Sequence, residues 1–257
     1  MNRQKPCTCR AFLLDGVRKM SDILYDAAAA FDAVSKYTYE LHLGNKKRKV
    51  VISLLSSNES DFTHIVGLDH LKDIPAVTAK YIPQRIAVYR KILAKTITFS
   101  TIEPSQELFK AMSGSINPVT GREYCIYDRI ALFSTFGVLM DKAHTGKLYR
   151  WDLKKAKAAG TGQFTRFSNI NLDYVLAIPI DKANHVNVYI FMYQTNKNAD
   201  ITEPIKLNVR SVFADTANLT AGQAGVYTIL QESKIRNADK SAVVLYRHHD
   251  YHPEAPK

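Results

Sequence analysis

Cysteine is scarce in this chain: three in 257 residues, at Cys7, Cys9 and Cys125. So odd and sparse a count excludes a disulfide framework. The lone Cys7-x-Cys9 pair has no second cysteine or histidine pair at zinc-finger spacing. Long apolar runs are missing too, and nothing approaches the ~20 residues needed to span a bilayer. Ala11-Phe-Leu-Leu14 follows a basic N-terminus but stops at Asp15 and Gly16, too short for a signal-peptide core. A cytoplasmic protein without a membrane partner is expected. Also absent are a Gly-rich phosphate loop between strand and helix, a G-x-S-x-G elbow and a carboxylate-rich group suited to two-metal catalysis. Gly160-Thr-Gly162 reads as a flexible turn. There is no repeat, low-complexity tract or Pro/Gly/Ser-rich linker to mark an internal domain boundary.

Acidic residues are outnumbered, 24 against 35 Lys and Arg, giving a formal charge of +11. That surplus favours polyanionic partners through counterion release and long-range steering. Lys46-Lys-Arg-Lys49 is one basic cluster. Lys147, Arg150, Lys154, Lys155, Lys157 and Arg166 form another, interleaved with Tyr149 and Trp151.

Apolar periodicity divides the chain into a helical first half and a stranded second half. Leu24, Ala27, Phe31, Val34, Thr38 and Leu41 recur at helical spacing before Gly44. Lys49–Leu55 is a short β-rich run. Helices are expected over Ile82–Ala94, Pro104–Met112 and Tyr124–Ala143, the last opened by Thr120 and Glu123 at capping-box spacing. Strands are expected over Leu148–Trp151, Phe164–Ile170, Tyr174–Ile180, Val186–Tyr193, Ile205–Phe213 and Ala242–His248, interrupted only by a helical pattern at Thr220–Ile235. Helices first and strands later imply an α+β fold: N-terminal helices packed on a C-terminal, mainly antiparallel sheet of four to six strands.

Period-two alternation gives two of these strands a mixed face. Asn187, Tyr189, Phe191 and Tyr193 alternate with Val186, Val188, Ile190 and Met192, and Lys206, Asn208 and Arg210 alternate with Leu207 and Val209. Side by side, such faces would offer stacking platforms next to cationic phosphate contacts, or simply a solvated face with tyrosines packed under a helix.

The segment Asp61-Phe-Thr-His-Ile-Val-Gly-Leu-Asp-His-Leu-Lys-Asp-Ile74 places two imidazoles in an apolar run. Its apolar residues cover most of a helical wheel, which fits a buried helix or two short turns broken at Gly67. His64 and His70 are six apart, so they do not share a metal as an i,i+4 pair could. Imidazoles trade protons near neutral pH, which makes both candidates for acid–base chemistry. In the tail, His248 and His249 would point to opposite faces of a strand, arguing against a metal site there; no metal or cofactor is expected.

The order of parts resembles a family of phage- and mobile-element-associated nuclease domains grouped with barnase, EndoU, certain tRNA-cleaving colicins and RelE, nearest its fourth phage subtype. The matching pieces are the helix Tyr25–Tyr39, Asp61-Phe-Thr-His-Ile-Val-Gly-Leu with His-Leu-Lys-Asp following, Asp128-Arg-Ile-Ala-Leu-Phe, Asp173-Tyr-Val, Arg210-Ser-Val-Phe213, and Leu219-Thr-Ala-Gly-Gln223 through Ile229-Leu. The resemblance spans residues 20–236 as one domain, leaving 1–19 as an N-terminal extension and 237–257 as a terminal strand with a His-rich tail, and it implies a metal-independent ribonuclease, a toxin-like effector of a mobile element. RNA would be its substrate, and an immunity or antitoxin protein a possible partner. It implies His64 in proton transfer and Arg210 as phosphate stabiliser, with Tyr174 and Ser211 as auxiliary donors. Lys72, Tyr189, Lys206 and Asn208 would bind substrate, and Gln223 would position RNA or support the fold. The competing reading is a non-catalytic nucleic-acid-binding or phage structural module that uses the basic and aromatic sheet face.

Overall fold

A computed structural model describes residues 22–44, 50–111, 117, 121–159, 172–197 and 203–253. Asp22 starts helix α1 (Ile23–Ser35) by accepting from the backbone N–H groups of Leu24 and Tyr25 at 3.0 and 3.1 Å. The periodicity predicted a helix continuing to Leu41. Instead the chain turns at Lys36 into strand β1 (Tyr37–Gly44). Thr38 and Leu41 fit helical spacing by coincidence. The alternation of buried Tyr39, Leu41 and Leu43 is the pattern that the fold obeys.

The other strands are β2 (Val50–Ser56), β3 (Lys147–Arg150), β4 (Tyr174–Asp181), β5 (Val186–Gln194), β6 (Ile205–Asp215), β7 (Gly225–Arg236) and β8 (Ala242–Arg247). They hydrogen-bond in the order β1-β2-β6-β5-β4-β3-β7-β8, and β1 also pairs with β7. That second pairing closes seven strands into a barrel and leaves β8 on the side of β7 that β1 does not use. Every pairing is antiparallel except β2 with β6. The expected helices stacked on a separate four-to-six-stranded sheet are therefore incorrect. Two strands come from the first half of the chain, and Thr220–Ile235 contributes strand β7 rather than a helix. β7 pairs with β1 along one edge and with β3 and β8 along the other. These pairings outweigh the helical spacing of its apolar residues.

The remaining helices are short: α2 (Phe62–Ile65), α3 (Ile82–Leu93), α4 (Phe99–Ile102), α5 (Ile126–Phe133), α6 (Phe136–Met140) and α7 (Leu153–Ala158). The long helix expected over Tyr124–Ala143 breaks between α5 and α6 at Ser134 and Thr135, whose hydroxyls donate back to the carbonyls of Ala131 and Leu132. Its start is set by Asp128, which accepts from Cys125 N at 3.0 Å. The expected cap residue Thr120 lies outside the described residues. α4 ends before Pro104, so the helix expected from Pro104 is not formed; turns follow. Phe164–Ile170, Lys46–Lys49 and Arg166 lie outside the described residues.

The helices meet in a cluster of rings. Phe31 of α1 lies 5.5 Å from Phe62, 5.6 Å from Tyr89 and 6.0 Å from Phe133, while Phe62 and Tyr89 are 5.1 Å apart. Phe62 is fully buried and begins α2, a helix too short to stand alone. Phe62→Ala is expected to lower the unfolding free energy by about 3–5 kcal/mol. Urea denaturation followed by circular dichroism measures this, and a loss below about 1 kcal/mol would mean that the cluster does not hold α2 in place.

Candidate active site

α2 is one turn of helix with Phe62, Thr63 and Ile65 buried, which leaves His64 on its outer side with 30% of its side chain exposed. The helix ends at Gly67, whose φ of 87° is left-handed and suits glycine. The chain then folds back through a single 3-10 turn, Leu68–His70. The break expected at Gly67 is thus present, and it brings Asp69 under His64. His64 Nδ1 lies 3.3 Å from Asp69 Oδ2, and the same oxygen receives Arg85 Nη2 of α3 at 3.1 Å. The first distance is long for a hydrogen bond, as catalytic contacts without substrate often are. Donation from Nδ1 to the carboxylate fixes the tautomer in which Nε2 carries the lone pair. Among the described residues Nε2 has no hydrogen-bond partner.

The second half of the chain reaches the same place. α2 packs against β6, and Arg210 is the extra residue of a β-bulge there: Phe191 pairs with Ser211 and Met192 with Val209. Bulges re-aim side chains and are common beside active sites. Asp61 lies between the two halves. Burial pushes its carboxyl above the usual range, while a backbone hydrogen bond from Asn58 and the charges of Arg210 and His64 oppose that rise. The charges of His64 and Arg210, the expected proton-transfer and phosphate-stabilising residues, therefore both act on Asp61.

Asp69 shows the opposite balance. Burial raises its carboxyl, but the His64 hydrogen bond and the Arg85 and His64 charges more than offset this and hold it below the usual range. Partial burial, then the charges of Arg129 and His64, pull the His70 imidazole below its ordinary value. Asp69 Oδ1, Arg85 Nε, Arg129 Nε and Ser211 Oγ are sealed from water without a hydrogen bond among the described residues. Native proteins seldom leave such atoms unpaired, so each is a departure from the bonding expected of a core.

The other expected residues are dispersed. Lys72 is exposed and lines an open groove of about 410 Å³ with His70, Asp73, Gln106, Glu107 and Lys110. Lys206 is exposed on β6. Asn208 is buried, accepting from Ser56 Oγ at 3.0 Å and donating to the Tyr193 hydroxyl at 3.2 Å. Tyr189 is buried as well, its hydroxyl donating to Ala217 O, with Phe191 and Phe213 beside it. Those rings form core and offer no open stacking platform. Tyr174 on β4 is buried, and its charged or phenolic neighbours are Tyr227, Arg150 and Asp173. Gln223 clasps the backbone of Asp152, accepting from its N–H at 2.8 Å and donating to its carbonyl at 3.0 Å. That is the fold-supporting alternative of the two roles expected for it. Burial pushes the Cys125 thiol up to about 12, which leaves it protonated and unreactive. His248 and His249 follow β8 and stack at 4.4 Å instead of facing apart; with Asp250 their ligand atoms lie within 4.8 Å of one another. Asp61, Asp69, Arg85 and Arg129 were not foreseen as site residues.

A partly buried His–Asp pair with Arg85 on its carboxylate is equipped to move a proton next to an anion, a step that phosphodiester cleavage uses. The family model described as phage-Barnase-EndoU-ColicinE5/D-RelE like nuclease4 matches residues 23–247, from the start of α1 to the end of β8. The chain belongs to this nuclease family, and its substrate class is nucleic acid. Neither the curated proteins nor the solved structures provide a match. Among the described residues no helix is long and apolar enough to cross a membrane.

The Asp69 linkage has a testable sign. A carboxyl held below its unfolded value adds stability above about pH 4, and that contribution disappears as pH falls through the folded value. Asp69→Asn should cost about 1–3 kcal/mol at pH 7, with the deficit shrinking below pH ~4. Equal deficits at pH 7 and pH 3 in denaturant titrations would contradict the assigned ion pairing.

Proposed function

We propose that this nuclease is a metal-independent endoribonuclease in which His64 transfers the proton and Arg210 stabilises the phosphate. The observation that carries the reading is that the charges of His64 and Arg210 both act on Asp61, with Asp69 orienting the imidazole. In the reaction, His64 Nε2 takes the proton of a ribose 2′-hydroxyl, and that oxygen attacks the adjacent phosphorus. The bond from phosphorus to the 5′-oxygen breaks, leaving a 2′,3′-cyclic phosphate and a 5′-hydroxyl. The proton gained by His64 is the one the departing oxygen needs, so the ring ends the cycle neutral. Arg210 meets the charge that grows on the non-bridging oxygens, which is where a preorganised cation lowers a barrier most. Ser211, next to Arg210 in the bulge, is an auxiliary donor, and Tyr174 would be a more distant one. Lys72 and Lys206 would hold the strand by its phosphates. Base, oriented imidazole and cation are all side chains in this scheme, so the reaction as written uses no metal.

The test is cleavage of labelled RNA with EDTA present. His64→Ala and Arg210→Ala should each reduce the rate by about a hundredfold or more with the fold intact by circular dichroism. Products should carry a cyclic phosphate, and DNA of the same sequence, lacking the 2′-hydroxyl, should survive. Loss of activity in EDTA, or equal cleavage of DNA, would refute the mechanism. Salt-sensitive binding without any product would favour the non-catalytic module instead.

A further inference from the structure

We propose that Arg129 is the floor of a second anion-binding subsite beside His64, one that takes the phosphate flanking the scissile one in a nucleic-acid strand. The inference rests on the nuclease reading above and adds a requirement for at least two consecutive phosphates. Arg129 projects from α5 beneath the turn that carries the site: a Cβ built at Gly67 would lie 3.7 Å from its Cδ. Its Nε is sealed from water, and the side chain has no hydrogen bond or ion pair among the described residues. The other arginines near the site are engaged. Arg85 binds Asp69, Arg90 binds Glu59, and Arg210 faces Asp61. The carboxylate next to Arg129 in sequence is already committed, because Asp128 accepts from Asn117 Nδ2 at 2.7 Å and from Cys125 N at 3.0 Å. The stretches 112–116 and 118–120, just before α5, contain no acidic residue.

A largely buried guanidinium without a counter-charge is costly, and structural arginines seldom lack a partner. A negatively charged ligand supplies what is missing, and the fork of a guanidinium suits a phosphate. The titratable groups nearest to it are Tyr124, with a protonated phenol, and His70, whose imidazole its charge helps to keep neutral. Neither competes with an incoming anion. His70 also lines the open groove with Lys72, which gives the strand a path onward from the subsite.

The experiment uses the full chain with Arg129→Met, alone and combined with His64→Ala so that binding can be read without cleavage. Arg129→Met should keep or raise Tm, since an apolar isostere removes an unpaired buried charge, whereas a structural arginine predicts a fall. In the His64→Ala background, a trinucleoside diphosphate should bind about tenfold or more tightly than a dinucleoside monophosphate, a gain that Arg129→Met removes. The His70 ring proton signals should titrate at higher pH in Arg129→Met. Equal weakening of both ligands, a drop in Tm, or tighter binding of inorganic pyrophosphate than of the trinucleotide would overturn the subsite. If no RNA or DNA is cleaved by the unmutated chain, the ribonuclease reading fails, while the phosphate-dependent binding difference still decides on Arg129.

Discussion

The burial of Phe62 against Phe31, Tyr89 and Phe133 is the constraint on which the site depends. A four-residue helix has no stability of its own, because the cost of nucleation is never recovered by so few hydrogen bonds. α2 exists because two of its residues, Phe62 and Ile65, are anchored in a core shared with α1, α3 and α5. With those two fixed, the position of His64 on the opposite side is decided by helical geometry. Gly67 then reverses the chain within one residue, and Asp69 arrives at the imidazole it orients. Apolar burial thus does the positioning, and polar groups add the chemistry at its edge.

The cost of that chemistry is visible in the same place. Arg85 pairs with Asp69, the charge of Arg210 acts on Asp61, and the charge of Arg129 acts on His70. Positive charge is in surplus, and several buried polar atoms are unpaired. An arrangement selected for stability alone would have replaced Arg129 by a hydrocarbon side chain. The subsite proposed for Arg129 would account for the cation being kept at that penalty, the usual trade between stability and function. The net charge of +11 acts over longer distances and would steer a polyanion toward the protein.

Local features were legible in the sequence and non-local ones were not. The broken turn at Gly67, helix α3 and strands β2 to β6 follow from patterns within a few residues. The His64 motif and Arg210 were found because short segments resemble the family. The closed barrel was missed because β1 is hidden behind helical spacing and β7 behind a pattern that its neighbours override. A parallel pairing such as β2 with β6 joins segments about 150 residues apart and leaves no periodic trace. Asp69 and Arg85 escaped notice for the same reason: an ion pair between two turns depends on how they are packed. Arg129 read as one polar residue of a long helix. Only its burial without a partner distinguishes it.

That parallel pairing also explains how two halves of the chain make one site. β2 runs directly into the turn that carries Asp61 and α2, and β6 carries Arg210. Their register, Ser53 to Ser56 against Ile205 to Asn208, ends with Ser56 opposite Asn208. A side-chain hydrogen bond of 3.0 Å joins that last pair. From Asn208 the chain reaches Arg210 in two residues, and from Ser56 it reaches Asp61 in five. The placement of Arg210 relative to the α2 turn is therefore set by a strand register, which cannot shift by one residue without turning every buried side chain of β2 outward. Asn208 holds the end of this register through its bond to Ser56. The β2–β6 pairing, which the sequence concealed, is thus what brings the α2 turn and the Arg210 bulge to the same end of the barrel.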